Sequence, residues 1–278
     1  MAPDGIVLAS FNKPYPTFYP SPGYAEQNPE TIYNAVCEVI QTTLTKSGNS
    51  NNLVGISFSC AMHSLMAVDK TGKPITPLII WADMRSTIQA DELKLRPESQ
   101  AIYEQSGTPI HPMSPLCKIL WMKKELPLLF SSVHKFISIK EYIFFRFFGE
   151  YKIDYSLASA TGLFDNNNLR WSQVALDAIG IDSDRLSQPV SPYHQFNNLR
   201  AEMAGALGVS HSTPFMVGAS DGCLANLGSG AMEEGDISIT IGTSGAVRMA
   251  SSSYKNDQRQ RIFNYRLDEQ QFIVGGAT

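Results

Sequence analysis

Short apolar runs closed by turn residues alternate along this chain with stretches of helical spacing, and that alternation restricts the fold more than any other feature. Leu53–Phe58, KFISI at 135–139, YKIDY at 151–155, PFMVG at 214–218 and DISITIG at 236–242 read as strands. Residues 6–19 read as a strand leading into a Pro/Tyr-rich connection, and 261–274 as a hairpin. Helical patterns lie between them. One starts at Pro29, with Asn28 as N-cap and Ile32, Val36, Ile40 and Leu44 near helical spacing, and ends at GNSNN (48–52). Others cover 86–96, 115–125, 140–148, 171–180 and 221–232. Strands interleaved with helices predict an α/β fold, a mixed sheet flanked by helices.

The totals remove several classes of function. Hydrophobic residues make up 43% of the 278 and charged residues 17%, a composition that supports a substantial core. Net charge is −4 and Lys and Arg form no concentrated run, so neither nucleic acid nor an anionic membrane is an expected partner. No apolar stretch approaches the roughly 18–20 residues that a membrane span needs. MAPDGIVLAS has no basic region ahead of a long apolar one, so it does not read as a signal peptide. Cys37, Cys60, Cys117 and Cys223 are widely spaced with no CxxC pair, which fits buried thiols in a reducing, cytoplasmic setting.

Four stretches carry residues suited to chemistry, each with a plain structural alternative. SFSCAMHSL (57–65) sets Met62 and His63 just after a strand, where His63 is either a ligand contact or a hydrogen-bonded strand-end histidine. IIWADMRS (79–86) ends a strand at Trp81 with Asp83 and Arg85 beyond it, and Asp83 could cap the following helix. ISITIGTSGAV (237–247) runs a strand into Gly242, Thr243 and Ser244, whose small side chains and hydroxyls suit an anion but also an ordinary hairpin turn. PFMVGASDG ends a strand and presents Asp221 among glycines, as a helix N-cap, as a general base at the C-terminal end of a strand, or as both.

Taken in order, MH, W-x-D-x-R, MSPLCKILWMKKE (113–125), GASDG and GTSG resemble the FGGY carbohydrate kinases. Met113, Pro115, Lys118, Ile119, Trp121, Met122, Lys124 and Glu125 all fit that family's pattern, and the wording of SFSCAMHSLMAVD, SGTPIHPMSP and DYSLASATGLF is most similar to its gluconokinase branch. The resemblance covers residues 5–276. It implies the actin/hexokinase-like ATPase (ribonuclease H-like) fold, with ATP and Mg2+ as co-substrate and cofactor and gluconate as the sugar acid phosphorylated.

Residue by residue, the resemblance implies that Asp221 is the general base and touches Mg2+ only indirectly. It places Gly242, Thr243 and Ser244 at the ATP phosphates. Met62, His63 and Trp81 would line the sugar pocket with Asp83, and Met113 would face the substrate. An anionic sugar acid also calls for a cation or several donors at its far end, with Arg85, Lys140, His63 and His111 as candidates and Arg85 and His63 favoured.

The chain departs from the family at both ends. It opens at APDG, after the place of the first strands and the D-x-G-T-T/S phosphate loop, and it stops after roughly the first hairpin of the ATPase domain. The expected division is therefore an N-terminal sugar-binding domain over 1–252, lacking the first strands, and a truncated start of the ATPase domain over 253–278. On this reading the chain is an incomplete and inactive fragment. Alternatives are a kinase for xylulose or a polyol, or a non-catalytic carbohydrate-binding module, and a homodimer stays open.

Overall fold

The computed structural model describes residues 1–48, 52–242 and 245–277. Its central feature is a three-stranded sheet in the order Gln195–Phe196, Phe215–Ser220, Ile56–Cys60. The first pair is antiparallel and the second parallel, so the sheet is mixed as the alternating pattern predicts. Phe215 and Met216 pair with Ile56 and Ser57, then the register slips before Ala219 and Ser220 pair with Ser59 and Cys60. Gly218 sits in that bulge with φ +66°, and a Cβ there would lie 1.9 Å from the Phe58 carbonyl oxygen. Only glycine lets the two strands approach so closely.

Helix Pro29–Ser47 starts at Asn28, whose side chain accepts from the Glu30 and Thr31 N–H groups, and closes at Gly48 with φ +65°. Helix Ile139–Phe148 starts from a full capping box between Ser138 and Glu141. Its Phe144, Phe147 and Phe148 rings pack on Phe58, Phe196 and Phe215 of the sheet, with centroids 4.5 Å apart for Phe144–Phe196 and 5.3 Å for Phe148–Phe215. Each such ring contributes roughly 1.5–3 kcal/mol on burial, which makes this cluster the main anchor of the sheet. A second core forms where helix Pro115–Glu125 buries Leu116, Cys117, Ile119 and Met122 together with Ala175, Leu176 and Ile179.

Beyond the sheet, helix Asp221–Ser229 leads into a four-stranded antiparallel sheet in the order Ile237–Ile241, Gly245–Ser251, Phe272–Ala277, Phe263–Arg266. The division expected at 252/253 falls inside this sheet, because 246–251 pair with 272–277.

The strand expected at the start of 6–19 is corrected: Ile6, Val7 and Leu8 are exposed and unpaired among the described residues, and the first pairing is the bridge Phe18–Glu26. Pro14, Pro16, Pro20 and Pro22 lack the N–H that a ladder needs. Helices Ser99–Ser106, Tyr155–Ser159 and Ala201–Leu207, not evident from the pattern, complete the packing.

Candidate active site

Strands Ile56–Cys60 and Phe215–Ser220 run parallel, and Cys60 pairs with Ser220. Both therefore deliver their next residues, Ala61-Met62-His63 and Asp221-Gly222, to the same end of the sheet, where α/β folds place ligands. The helix cap is Ser220 rather than Asp221. The Ser220 hydroxyl accepts from the Cys223 N–H at 3.3 Å, and the Ser220 N–H donates to Ser156 Oγ at 3.0 Å. Asp221 is thereby the first helical residue, an exposed one, and its Oδ1 accepts from the Gly222 N–H at 2.8 Å. Although the residue is exposed, protein around the carboxylate pushes its pKa up. The Gly222 N–H, the positive charge of Arg248 and the Met62 N–H pull the other way. These opposing effects identify Asp221's neighbours: Met62 from the adjacent strand end and Arg248 from strand Gly245–Ser251.

Gly222 explains how they come so close. A Cβ at Gly222 would lie 2.6 Å from Met62 Cε and 3.3 Å from Arg248 Nε. The side chain is missing where the methionine and the guanidinium meet the acid. On its other side Met62 lines a cavity of about 340 Å3 together with Trp81, Ile80, Cys60, Tyr15 and Lys140. Trp81 is half exposed there. The structure thus brings Asp221, Met62 and Trp81 into one neighbourhood.

The two expected cations Arg85 and Lys140 both have carboxylate partners within the protein. Arg85 donates to both oxygens of Asp83, at 2.8 and 2.7 Å, and to Glu26 at 2.6 Å, with its guanidinium 3.9 Å from the Tyr24 ring centroid. Asp83 is fully buried and also accepts from the Ala25 N–H. Asp83, Glu26 and Arg85 together clamp 24–26 to 83–85, with the one positive charge shared between two carboxylates. Lys140 bonds Asp154 at 2.6 Å and the carbonyls of Val217 and Ala219, so it satisfies the bulge around Gly218.

His63 is buried, and that burial, with Lys118 nearby, lowers its pKa to about 3. Its Nδ1–H donates to the Ala160 carbonyl at 2.8 Å and its Nε2 accepts from the Tyr265 hydroxyl at 3.1 Å. A neutral imidazole with both nitrogens engaged is no cation for a carboxylate. His111, whose pKa is lowered by burial first, accepts the Met113 N–H at 3.2 Å, which ties these two residues together at the entry to helix Pro115–Glu125. Gly242 is exposed at the end of Ile237–Ile241, and Thr243 and Ser244 lie outside the described residues.

Two residues with a part in the site were not singled out for it in the sequence. Lys118 is fully buried, and its ammonium donates to the carbonyls of His63 at 2.6 Å, Ile80 at 2.8 Å and Ile79 at 3.4 Å. It joins the Met62-His63 turn, where His63 has φ +63°, to the strand end before Trp81. A lysine inside the apolar run PLCKILWM was the available signal. Arg248 had a signal too: it shares the inward face of its strand with the buried Ala246 and Ala250.

Comparison with known proteins places this geometry. Residues 1–228 match the family described as the FGGY family of carbohydrate kinases, N-terminal domain. The chain is similar to the gluconokinase of Bacillus subtilis (strain 168), 44% identical over 277 residues, covering 99% of this chain and 53% of that one. It is also 30% identical over 274 residues to the xylulose kinase of Staphylococcus xylosus, covering 98% of this chain and 56% of the other. Among solved structures, a gluconate kinase and a ligand-bound xylulose kinase, both from Lactobacillus acidophilus, each superpose with TM-score 0.91 at 34% identity, over 95% of this chain and 54% of theirs. The chain spans about half the length of these relatives.

Proposed function

Because the chain belongs to the FGGY family of carbohydrate kinases, we propose that it is the sugar-binding part of a gluconokinase, the enzyme that converts D-gluconate and ATP to 6-phosphogluconate and ADP. Its mixed α/β architecture is the actin/hexokinase-like ATPase fold of the matched kinases. The observation that carries the substrate assignment is the 44% identity with a gluconokinase along essentially the whole chain.

In this reading Asp221 is the general base. Its carboxylate takes the proton of the C6 hydroxyl while that oxygen attacks the γ-phosphorus of ATP. The new O–P bond forms as the bond to the β-phosphate oxygen breaks, and ADP leaves with that electron pair. Phosphoryl transfer asks chiefly for position and charge, so an exposed carboxylate fixed at a helix start suits the task. Met62 and Trp81 wall the sugar, His63 and Lys118 hold Met62 in place, and Gly242, Thr243 and Ser244 serve the ATP phosphates.

A Mg2+ ion keeps much of its water and commonly takes one or two carboxylates besides substrate phosphates. Among the described residues no three His, Cys, Asp or Glu side chains cluster, so the residues present fit such an ion only through water at Asp221. When bound, the metal would neutralise phosphate charge. No helix among the described residues is long and apolar enough to cross a membrane, and the four free cysteines suit a reducing cytoplasm.

A second reading, a xylulose kinase, is favoured by the Lactobacillus acidophilus xylulose kinase, which superposes as well as the gluconate kinase does. Calorimetric titration of the chain with gluconate, xylulose and glycerol tests the choice. Gluconate binding with no response to the others is expected; xylulose binding alone would overturn the gluconate assignment. The chain by itself should bind ATP poorly and turn over little in a coupled assay, whereas joining it to a C-terminal ATPase half should restore turnover. Ordinary sugar-kinase turnover by the 278-residue chain would refute that part.

A further inference from the structure

Among the described residues, the groups around Asp221 leave one cation without a carboxylate or carbonyl partner. Arg85 is held by two carboxylates, Lys140 by Asp154, Lys118 by three carbonyls, and His63 is neutral. Arg248 makes no ion pair among the described residues, and its hydrogen bond there is a long one, 3.4 Å from Nη1 to Thr240 Oγ1. It is nevertheless half-buried and aimed inward. Two glycines make its place. Gly222 leaves room for Nε and Nη2, which lie 3.3 and 3.5 Å from where its Cβ would be. Gly275 lets the neighbouring strand approach, since a Cβ there would come 3.0 Å from the Arg248 Cα and 2.0 Å from the Val247 carbonyl oxygen.

Its charge acts on Asp221, yet the two stand beyond ion-pair contact. A guanidinium fixed beside the site and kept apart from the nearest carboxylate is suited to binding an oxyanion. With Asp221 as base, the hydroxyl that receives the phosphoryl group lies beside Asp221, and the group arriving there carries non-bridging oxygens. The carboxylate of the sugar acid sits at the opposite end of the molecule. We propose that Arg248 is a catalytic residue: its guanidinium binds the oxygens of the phosphoryl group as it reaches the hydroxyl at Asp221, and then the phosphate of the ester product. This rests on the reading of Asp221 as general base. Arg248 gives up no proton and forms no covalent bond; it balances charge in transit, where fixed cations are most effective.

The test compares each sugar with its phosphate ester on the chain itself: gluconate with 6-phosphogluconate, and xylulose with xylulose 5-phosphate, by calorimetry. Wild type should prefer the ester of whichever sugar it binds by about ten- to hundredfold, the usual worth of charge-assisted hydrogen bonds. Arg248→Met should erase that preference with little change for the free sugar. Arg248→Lys, which keeps the charge but not the fork, should retain part of it. Circular dichroism confirms that both are folded, and Arg248→Lys carries the test should the methionine variant not fold. No ester preference in wild type, or equal weakening of both members of a pair, overturns the assignment; the second result would move Arg248 to the carboxylate end. Which pair binds reports separately on the substrate, so xylulose binding with an Arg248-dependent ester preference would sink the gluconate reading and leave Arg248 intact.

Discussion

Replacing Gly222 by alanine sets two effects of known size against each other. The residue lies in the first turn of helix Asp221–Ser229 and has no positive φ, so alanine should favour the helix by about 1 kcal/mol. Against this, the new Cβ would stand 2.6 Å from Met62 Cε, which must retreat by about 1 Å to reach ordinary carbon contact. Met62 is buried but flexible, and an off-rotamer adjustment costs about 0.5–1.5 kcal/mol. The two nearly cancel, so stability should change by no more than about 1 kcal/mol, a few degrees in Tm for a chain of this size. Binding should not be spared. Met62 lines the cavity beside Trp81, the proposed sugar site, and Arg248 would be crowded at 3.3 Å; a displacement of about 1 Å at a site can cost about a hundredfold. Gly218→Ala is the control. Its Cβ would meet a backbone carbonyl at 1.9 Å in a left-handed conformation, and no side chain can turn away. The left-handed φ alone costs about 1–2 kcal/mol, and the clash adds to it. Thermal unfolding and gluconate calorimetry on both variants decide the matter. A Gly222→Ala chain as unstable as Gly218→Ala would show that Met62 is not the soft partner. Unchanged binding would show that Gly222 is not kept small for the site.

Three further outcomes are expected. The folded pKa of Asp221 is raised, so its contribution to stability is present below the unfolded value near 3.8 and is lost as pH rises through the folded one; Asp221→Asn should therefore raise Tm at neutral pH, while abolishing the turnover of the chain joined to a C-terminal ATPase half, and a lowered Tm would contradict this. His63 has the opposite sign: its pKa falls from 6.5 to about 3, so stability should be full above 6.5 and decline on acidification toward 3, by on the order of 1.4 kcal/mol per pH unit. Denaturation at stepped pH should show that slope, and His63→Gln should flatten it. Arg85→Met strips two carboxylates of their partner, one fully buried, and should cost about 3–5 kcal/mol in chemical denaturation; a stable variant with a selective loss of gluconate binding would return Arg85 to the substrate.

Strands and helices with strong periodicity were legible because burial imposes it: helix 115–125 has the bounds its pattern predicts, ISITI is a strand, and all of PFMVG but Pro214 lies in strand Phe215–Ser220. Candidate chemistry was legible only where residue type alone restricts it, as for an acid among glycines. The charges were harder to read, since a sequence shows a cation without showing what faces it. Arg85 reads from the sequence as a cation for the sugar acid; Asp83 and Glu26, the latter 59 positions away, make it a buried lock. Lys140 looked free until the fold brought Asp154 and the bulge carbonyls to it. Arg248 drew no attention in the strand after GTSG, yet of the cations around Asp221 it is the one that packing leaves without a carboxylate or carbonyl partner among the described residues. A buried charge already matched by the protein holds a site's shape, and one left unmatched beside Asp221 is the better candidate to meet a substrate.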